Sequence, residues 1–341
     1  MRAKDDGRSS PFRFDDLTPG RRDLTGDART REASTLATYA RHARSLFKQA
    51  GQLSETPTGK RIAEVIHWFV ERDCEWKKNT ISAYRASLFG VVEWAASNRL
   101  VDPREARSLN STLEQAKTEG RPRRRPAGLP PRASAKKRKS LLEAEQRALR
   151  NHLAKKKSEV AILLGGFMHF GPQLGLRPAE YAEASVGHRV LHVRCAKATN
   201  GRGIAARRTI DLRDNPGAEI LALKGFLALF RRLLGAAGSW SRLHARLSKA
   251  LTRACETLMI PRVSLYTLRH QMLATAKRSM TPQEVAALAG HKTTKTATQH
   301  YARRRSGWKT PLRVYPAPDL VTRVRTPSRS PRASVSCKPA L

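Results

Sequence analysis

The chain has 341 residues, enough for two domains of ordinary size. Its 66 Lys and Arg against 28 Asp and Glu give a formal net charge of +38. A compact fold repels itself at that charge, so the partner is expected to be a polyanion, with nucleic acid first. An anionic membrane surface is the rival, but no long basic amphipathic segment supports it. The opening MRAKDDGRSSPFRFDD has no apolar stretch of the kind a secretory signal needs. The longest apolar run, Val160 to Gly171, is too short to span a bilayer.

Residues 1–29 are polar, charged and punctuated by Pro and Gly, and are expected to be unordered. From about 30 to 118 the pattern is helical. Leu36, Tyr39, Ala40, Ala43, Leu46 and Phe47 recur at helix spacing, as do Ile62, Val65, Ile66 and Phe69. A third helix is expected to open on Asn79 or Thr80 and to carry Ile81, Tyr84, Leu88, Val91, Val92 and Trp94 on its apolar face. A weaker helix follows from Arg104 to Lys117. Residues 119–140 combine Pro, Gly and basic residues without any period, and read as an extended cationic tether. A second domain is expected over 141–310. It has a helix through Val160 to Phe170, and alternation in RVLHVRC predicts a strand that turns at NGRG and returns over Ala206 to Leu212. Helices resume over Gly217 to Leu234 and Ser239 to Leu258. Thr281-Pro282-Gln283-Glu284 is a capping box with Pro at the first helical position, and that helix stops at Gly290. Residues 311–341 read as a basic, Pro-rich tail with a weakly apolar stretch at Leu320 to Val324. The fold class is therefore mainly α with a small β-hairpin.

Chemistry-bearing residues fall in four short segments. Arg177 stands at a helix start in GPQLGLRPAEYAEAS, and Lys197 at a strand end before ATNGRG. In so basic a chain either one alone is more simply a surface residue. Arg269 and His270 lie inside the apolar helical stretch SLYTLRHQMLATA, which contains no acid to pair with the guanidinium. The last segment, AGHKTTKTATQHYARRR, holds His291 after a Gly and Tyr301 directly before three arginines. A phenol beside fixed positive charge has a stabilised anion, although a half-buried tyrosine tip is the simpler reading of that residue alone. Cys74, Cys195, Cys255 and Cys337 are scattered without a CxxC and read as free thiols of a reducing cytoplasm. No metal-ligand spacing and no phosphate-cradling glycine loop is present, so neither a metal nor another cofactor is expected.

In order, Arg177 within GLRPAE, Lys197, Tyr266-Thr-Leu-Arg269-His270, Leu288-Ala-Gly-His291 and Tyr301 resemble the tyrosine recombinase (phage integrase) family. The resemblance covers about Ser34 to Arg305. It implies an N-terminal helical core-binding (SAM-like) domain followed by a C-terminal catalytic domain. It further implies that Tyr301 attacks a DNA phosphodiester to form a 3′-phosphotyrosyl intermediate without ATP or metal. Arg177, Arg269 and His291 would bind the phosphate oxygens, and Lys197 would serve as the acid for the departing 5′ oxygen. Tyr266 stands where the family has a His. The stretch from His291 to Tyr301 is one residue longer than the family's. An extra residue in the threonine-rich loop keeps the nucleophile in reach, whereas one in the helix rotates it away.

The partner implied is double-stranded DNA, bound by a homo-tetramer on a pair of sites; accessory DNA-bending proteins, target sequence and direction stay open. Lys77, Lys78 and Arg85 on the Tyr84 helix, Arg202 in the NGRG turn and His270 are the candidate DNA contacts. A type IB topoisomerase would use much the same residues, and a DNA-binding protein with a degenerate site would keep the fold.

Overall fold

The structure, a computed structural model, describes residues 33–51, 58–72, 76, 78–118, 138–196 and 203–326. Lys77, Lys197, Arg202, Cys74 and Cys337 lie outside the described residues, as do the expected N-terminal segment, most of the tether, the NGRG turn and residues 327–341. Of Lys78 only the backbone is described. The chain divides into two compact units, Met1–Ser134 and Ala135–Leu341. It is mainly α-helical with one small sheet.

The first unit holds α1 (Ala33–Gln49), α2 (Gly59–Glu71), α3 (Lys78–Ser97) and α4 (Pro103–Thr118). Caps fix two of the starts. Thr58 Oγ1 accepts from Arg61 N at 3.4 Å, and Asp102 Oδ1 accepts from Arg104 N and Glu105 N at 2.6 and 3.0 Å. The apolar stripes read from the sequence meet in one core, with Leu46, Phe47, Ile62, Val65, Ile66, Phe69, Leu88, Val91 and Val92 all buried. Tyr84 joins an aromatic cluster with Phe69 and Trp76 at its edge. α3 begins at Lys78, ahead of the expected Asn79 or Thr80. Arg85 is half-buried on it.

The second unit holds α5 (Glu143–Ala154), α6 (Glu159–Leu174), β1 (Ser185–Gly187), β2 (Val190–Arg194), β3 (Arg207–Asp211), α7 (Gly217–Ala237), α8 (Trp240–Thr257), α9 (Leu265–Ser279), α10 (Pro282–Ala289), α11 (Thr294–His300), β4 (Tyr315–Pro316) and α12 (Pro318–Thr322). The strands form one antiparallel sheet in the order β1-β2-β3-β4, with Leu191 opposite Ile210 and Ile210 opposite Pro316. α9 is buried on nearly every side, with Leu268, Met272, Leu273 and Ala276 in the core. Ser264 starts it through a reciprocal pair with Thr267: Ser264 Oγ accepts from Thr267 N at 3.3 Å and Thr267 Oγ1 from Ser264 N at 3.1 Å. Thr281 caps α10 and Gly290 ends it at φ 69°, as the sequence predicts.

Two boundaries move. The expected tether ends before residue 140, because Arg138 already pairs with Glu145 at 2.5 Å and its carbonyl accepts from Thr267 Oγ1 at 2.9 Å. The expected tail from 311 begins as part of the unit. Val314 is buried, β4 extends the sheet, and Leu320 and Val324 pack on Ala286 and Ala287 of α10. The short apolar stretch is thus half of a helix–helix contact, which no periodicity over five residues could announce. Among the described residues no helix is long and apolar enough to cross a membrane.

Candidate active site

The end of α6, the 3-10 turn after it, β3, α9 and the segment after α10 meet in one cluster. α6 closes at Gly175, whose φ of 58° lies in the left-handed region. A Cβ there would also sit 1.9 Å from Met272 Cε of α9. Glycine therefore lets the turn lie against α9, and its carbonyl accepts from Arg269 Nη1 at 2.6 Å.

Arg177 caps the 3-10 turn Pro178–Ala182. Its Nη1 donates to Glu180 Oε1 at 2.6 Å and its backbone N to Glu180 Oε2 at 2.9 Å. Glu180 also accepts from Arg208 Nη2 at 2.7 Å and from Ala196 N at 3.2 Å. Burial alone would raise the Glu180 carboxyl, but Arg208, Arg269 and Arg177 outweigh it and hold the group well below the usual carboxylate range. Arg208 comes from the inward face of β3 and has no exposed side-chain surface. Burial pulls its guanidinium down, yet the Glu180 carboxylate more than offsets this and raises it.

Arg269 is 1 % exposed, and among the described residues its hydrogen bonds go to no carboxylate. Nη2 donates to Ala289 O at 2.6 Å and lies 3.3 Å from His291 Nε2, and Nε donates to Tyr301 Oη at 3.2 Å. Burial lowers its proton affinity, although a guanidinium stays charged at any relevant pH. Burial, reinforced by Arg269, Arg177 and Arg208, depresses His291 to about 2, so this imidazole is neutral. Arginine can only donate, so Nε2 accepts and the His291 proton sits on Nδ1. That Nδ1 is buried with no partner among the described residues. An orphaned buried donor costs about 1–3 kcal/mol, which an anion arriving here would offset.

Tyr301 is the C-cap of α11, with φ −107° and ψ 170°. The extended backbone just past the helix end turns the ring inward. It stacks 4.9 Å from the His270 ring and 5.2 Å from the His291 ring, with Arg269 Cζ 5.5 Å from its centroid. The longer spacing after His291 is thereby accommodated: the tyrosine lies beyond a seven-residue helix and still reaches the guanidinium.

Arg177, Arg269, His291 and Tyr301 are therefore gathered, and His270 stands with them, half-buried against the nucleophile candidate rather than on an outer face. Burial, then Lys139, Arg269 and Lys277, lowers His270 to about 4. Tyr266 is 46 % exposed on the first turn of α9, three residues before Arg269 and so on the same helix face. Lys197 is outside the described residues, but Ala196 on one side of it binds Glu180 and Gly203 on the other bridges to His291. Arg303, Arg304 and Arg305 are exposed, and the charge that meets the Tyr301 hydroxyl is Arg269.

Sequence reasoning missed five contributors. Glu180 was visible only as a letter of GLRPAE. Arg208 could have been found from β3, where it shares the inward face with Ile210. Lys277 Nζ holds the carbonyl of Ala302 at 2.7 Å, Gln271 Nε2 that of Ser306 at 2.9 Å, and Thr275 Oγ1 accepts from Trp308 N at 3.1 Å. These three bind the chain that follows Tyr301 along α9, and no pattern in the sequence marks them.

Three guanidiniums and a single carboxylate make up the charges in contact here, so two positive charges are uncompensated among the described residues. Such a cluster is built to receive an anion with several oxygens.

No family model matches the chain, and no curated protein does. Solved structures do match. A lambda integrase tetramer bound to a Holliday junction is 14% identical, covering 83% of this chain and 75% of that one, with a TM-score of 0.47. A lambda integrase dimer bound to a COC' core site is 16% identical, covering 83% of this chain and 93% of that one, at 0.46. XerH site-specific recombinase bound to difH substrate, a pre-cleavage complex, is 14% identical over 82% of this chain and 79% of that one, at 0.45. The chain is similar to integrase and site-specific recombinase structures.

Proposed function

We propose that this chain is a tyrosine-type site-specific DNA recombinase, cleaving and rejoining DNA through a covalent link to Tyr301. The observation that carries the reading is the 3.2 Å hydrogen bond from Arg269 Nε to Tyr301 Oη, in a buried cluster with two guanidinium charges uncompensated among the described residues. A phosphodiester brought to Arg177 and Arg269 meets two guanidiniums, of which Arg269 has one N–H at Nη1 beyond those donated to Gly175, Ala289, His291 and Tyr301. The orphaned Nδ1–H of His291 supplies a further donor, and the exposed Tyr266 hydroxyl can supply another.

In the step proposed, Tyr301 Oη bonds to phosphorus and the bond from phosphorus to the 5′ oxygen breaks. Negative charge builds on the non-bridging oxygens, where the guanidiniums already stand. Pre-placed donors of this kind are each worth on the order of 10²–10³ in rate. The neutral imidazole of His270 flanks the Tyr301 ring and is chemically able to accept its proton. Lys197 is the proposed acid for the 5′ oxygen; the anchoring of both its flanks to Glu180 and His291 supports this role. The energy of the broken bond is kept in the phosphotyrosyl link, so the 5′ hydroxyl can reverse the step.

Double-stranded DNA is the proposed substrate, with assembly of a homo-tetramer on a pair of sites. A nicked suicide duplex, from which the ligation partner diffuses away, is the test. The full chain is expected to give a protein–DNA adduct stable on a denaturing gel, and Tyr301→Phe is expected to give none. Duplex binding by the full chain without any adduct would leave a DNA-binding protein with a spent site.

A further inference from the structure

The three arginines after Tyr301 do not serve its hydroxyl, and the structure shows where two of them go. Past Ala302 the chain makes a 3-10 turn, Arg304–Ser306. Gly307 then crosses α9 so closely that a Cβ would lie 2.4 Å from the Ala274 carbonyl oxygen. Trp308 locks the crossing: its Nε1 donates to Leu141 O at 2.6 Å and its backbone N to Thr275 Oγ1 at 3.1 Å. This route brings Arg304, Arg305 and Lys309 against Arg278 at the end of α9. The four cations line a recess of about 620 Å³, walled by the Trp308 indole and by Ser279. Among the described residues no acidic side chain lines it. Arg304 Nη2 donates to the Arg278 carbonyl at 3.4 Å, which holds those two residues together despite their like charge. Exposed cations converging without a counter-charge among the described residues repel one another, and a bound anion relieves that repulsion.

We propose that this recess is a second phosphate-binding site, separate from the cluster around Tyr301, and that it holds a backbone phosphate of the bound DNA. Calling the phosphate DNA's rests on the functional reading above. Guanidinium forks and a hydroxyl suit a phosphate. The cations are exposed rather than enclosed, which suits a backbone running past them. Arg278 follows Arg269 by nine residues on one helix, ~14 Å along the axis and about two and a half turns, so it leaves α9 on the opposite side. A strand carries a phosphate about every 3.4 Å of duplex axis, so the recess takes a different phosphate of the duplex from the one at Arg269.

The test is duplex binding by the full chain, measured by fluorescence anisotropy from low to moderate salt. The variants are R305Q/K309Q in the recess and K155Q/K156Q, an equal charge loss at exposed lysines after α5. Each lost phosphate contact removes about 0.9 from the slope of log K against log salt. R305Q/K309Q is expected to lower that slope by about 1 and to weaken binding roughly tenfold at 0.15 M salt, with K155Q/K156Q well short of both. An unchanged slope, or an equal fall in both variants, overturns the site. Calorimetric titration with inorganic pyrophosphate separates the other source of phosphate. Saturable binding that R305Q/K309Q abolishes, with the DNA slope unmoved, would assign the recess to a free phosphate compound and overturn the DNA assignment. The salt slope is read without any cleavage, so it stands or falls independently of adduct formation at Tyr301.

Discussion

Glu180→Gln tests the electrostatic account at its hinge. The carboxylate accepts four donors: Arg177 Nη1 and Ala196 N at Oε1, Arg177 N and Arg208 Nη2 at Oε2. An amide has one oxygen, so in either orientation its NH₂ faces two donors. With the NH₂ at the Oε2 position Arg208, whose side chain is fully buried, is left with Cys195 Sγ as its remaining described partner; with it at Oε1, Arg208 keeps a neutral oxygen in place of the carboxylate. Breaking a buried ion pair by removing one partner costs about 3–5 kcal/mol. The assay is urea unfolding at neutral pH, in a background whose remaining tryptophans are Trp240 and Trp308, both in the second unit. Replacing Arg208 by Met as well removes the stranded charge, so E180Q/R208M is expected to be more stable than E180Q alone. The folded Glu180 carboxyl titrates below its unfolded value of about 4.3, so its contribution is present above that pH and lost as pH falls through the folded pKa. The gap between the native chain and E180Q should therefore begin to narrow below about pH 4 and go on narrowing as pH falls further. A cost under about 1 kcal/mol at neutral pH, or no recovery in the double variant, would refute the idea that this carboxylate holds the guanidiniums in place.

Arg269→Lys keeps the charge but loses the fork, and its adduct rate is expected to fall by roughly 10²–10³ with duplex affinity little changed, measured on the suicide substrate at saturating DNA. His291 is neutral when folded, at about 2, and takes up a proton when unfolded, near 6.5. Its contribution to stability is thus complete above pH 6.5 and lost as pH falls below it; His291→Gln should remove about one proton from the pH dependence of unfolding between pH 6 and 4. Gly307→Ala places a methyl 2.4 Å from a backbone carbonyl oxygen of α9, so the crossing must shift; a loss of about 1–3 kcal/mol is expected in the same urea assay. Lys277→Met frees the carbonyl after Tyr301 and is expected to slow adduct formation without changing the DNA concentration at half-maximal rate.

The helices of both units were legible because their apolar stripes and caps are local. Leu46, Ile62 and Val91 announce themselves by spacing alone, and Thr281 and Gly290 bracket α10 in a few letters. Arg177, Arg269, His291 and Tyr301 were legible as an ordered set of motifs, although their convergence is a tertiary fact. β1 and β4, three and two residues long, carry too little alternation to be read. Arg208 was hidden by composition: with 66 Lys and Arg in the chain, one more arginine says nothing until the strand's inward face is followed. The arginines after Tyr301 were assigned to the wrong neighbour, because sequence adjacency does not reveal that Gly307 and Trp308 carry the chain away across α9.

The most direct measurement of the central claim is the mass of the tryptic peptide bearing the DNA. After nuclease treatment of the trapped adduct, the account predicts a nucleotide joined through phosphate to Tyr301, with the 5′ end of the cut strand released as hydroxyl. Attachment at another side chain, such as Tyr266, or a 5′ phosphate on the released strand, would contradict it.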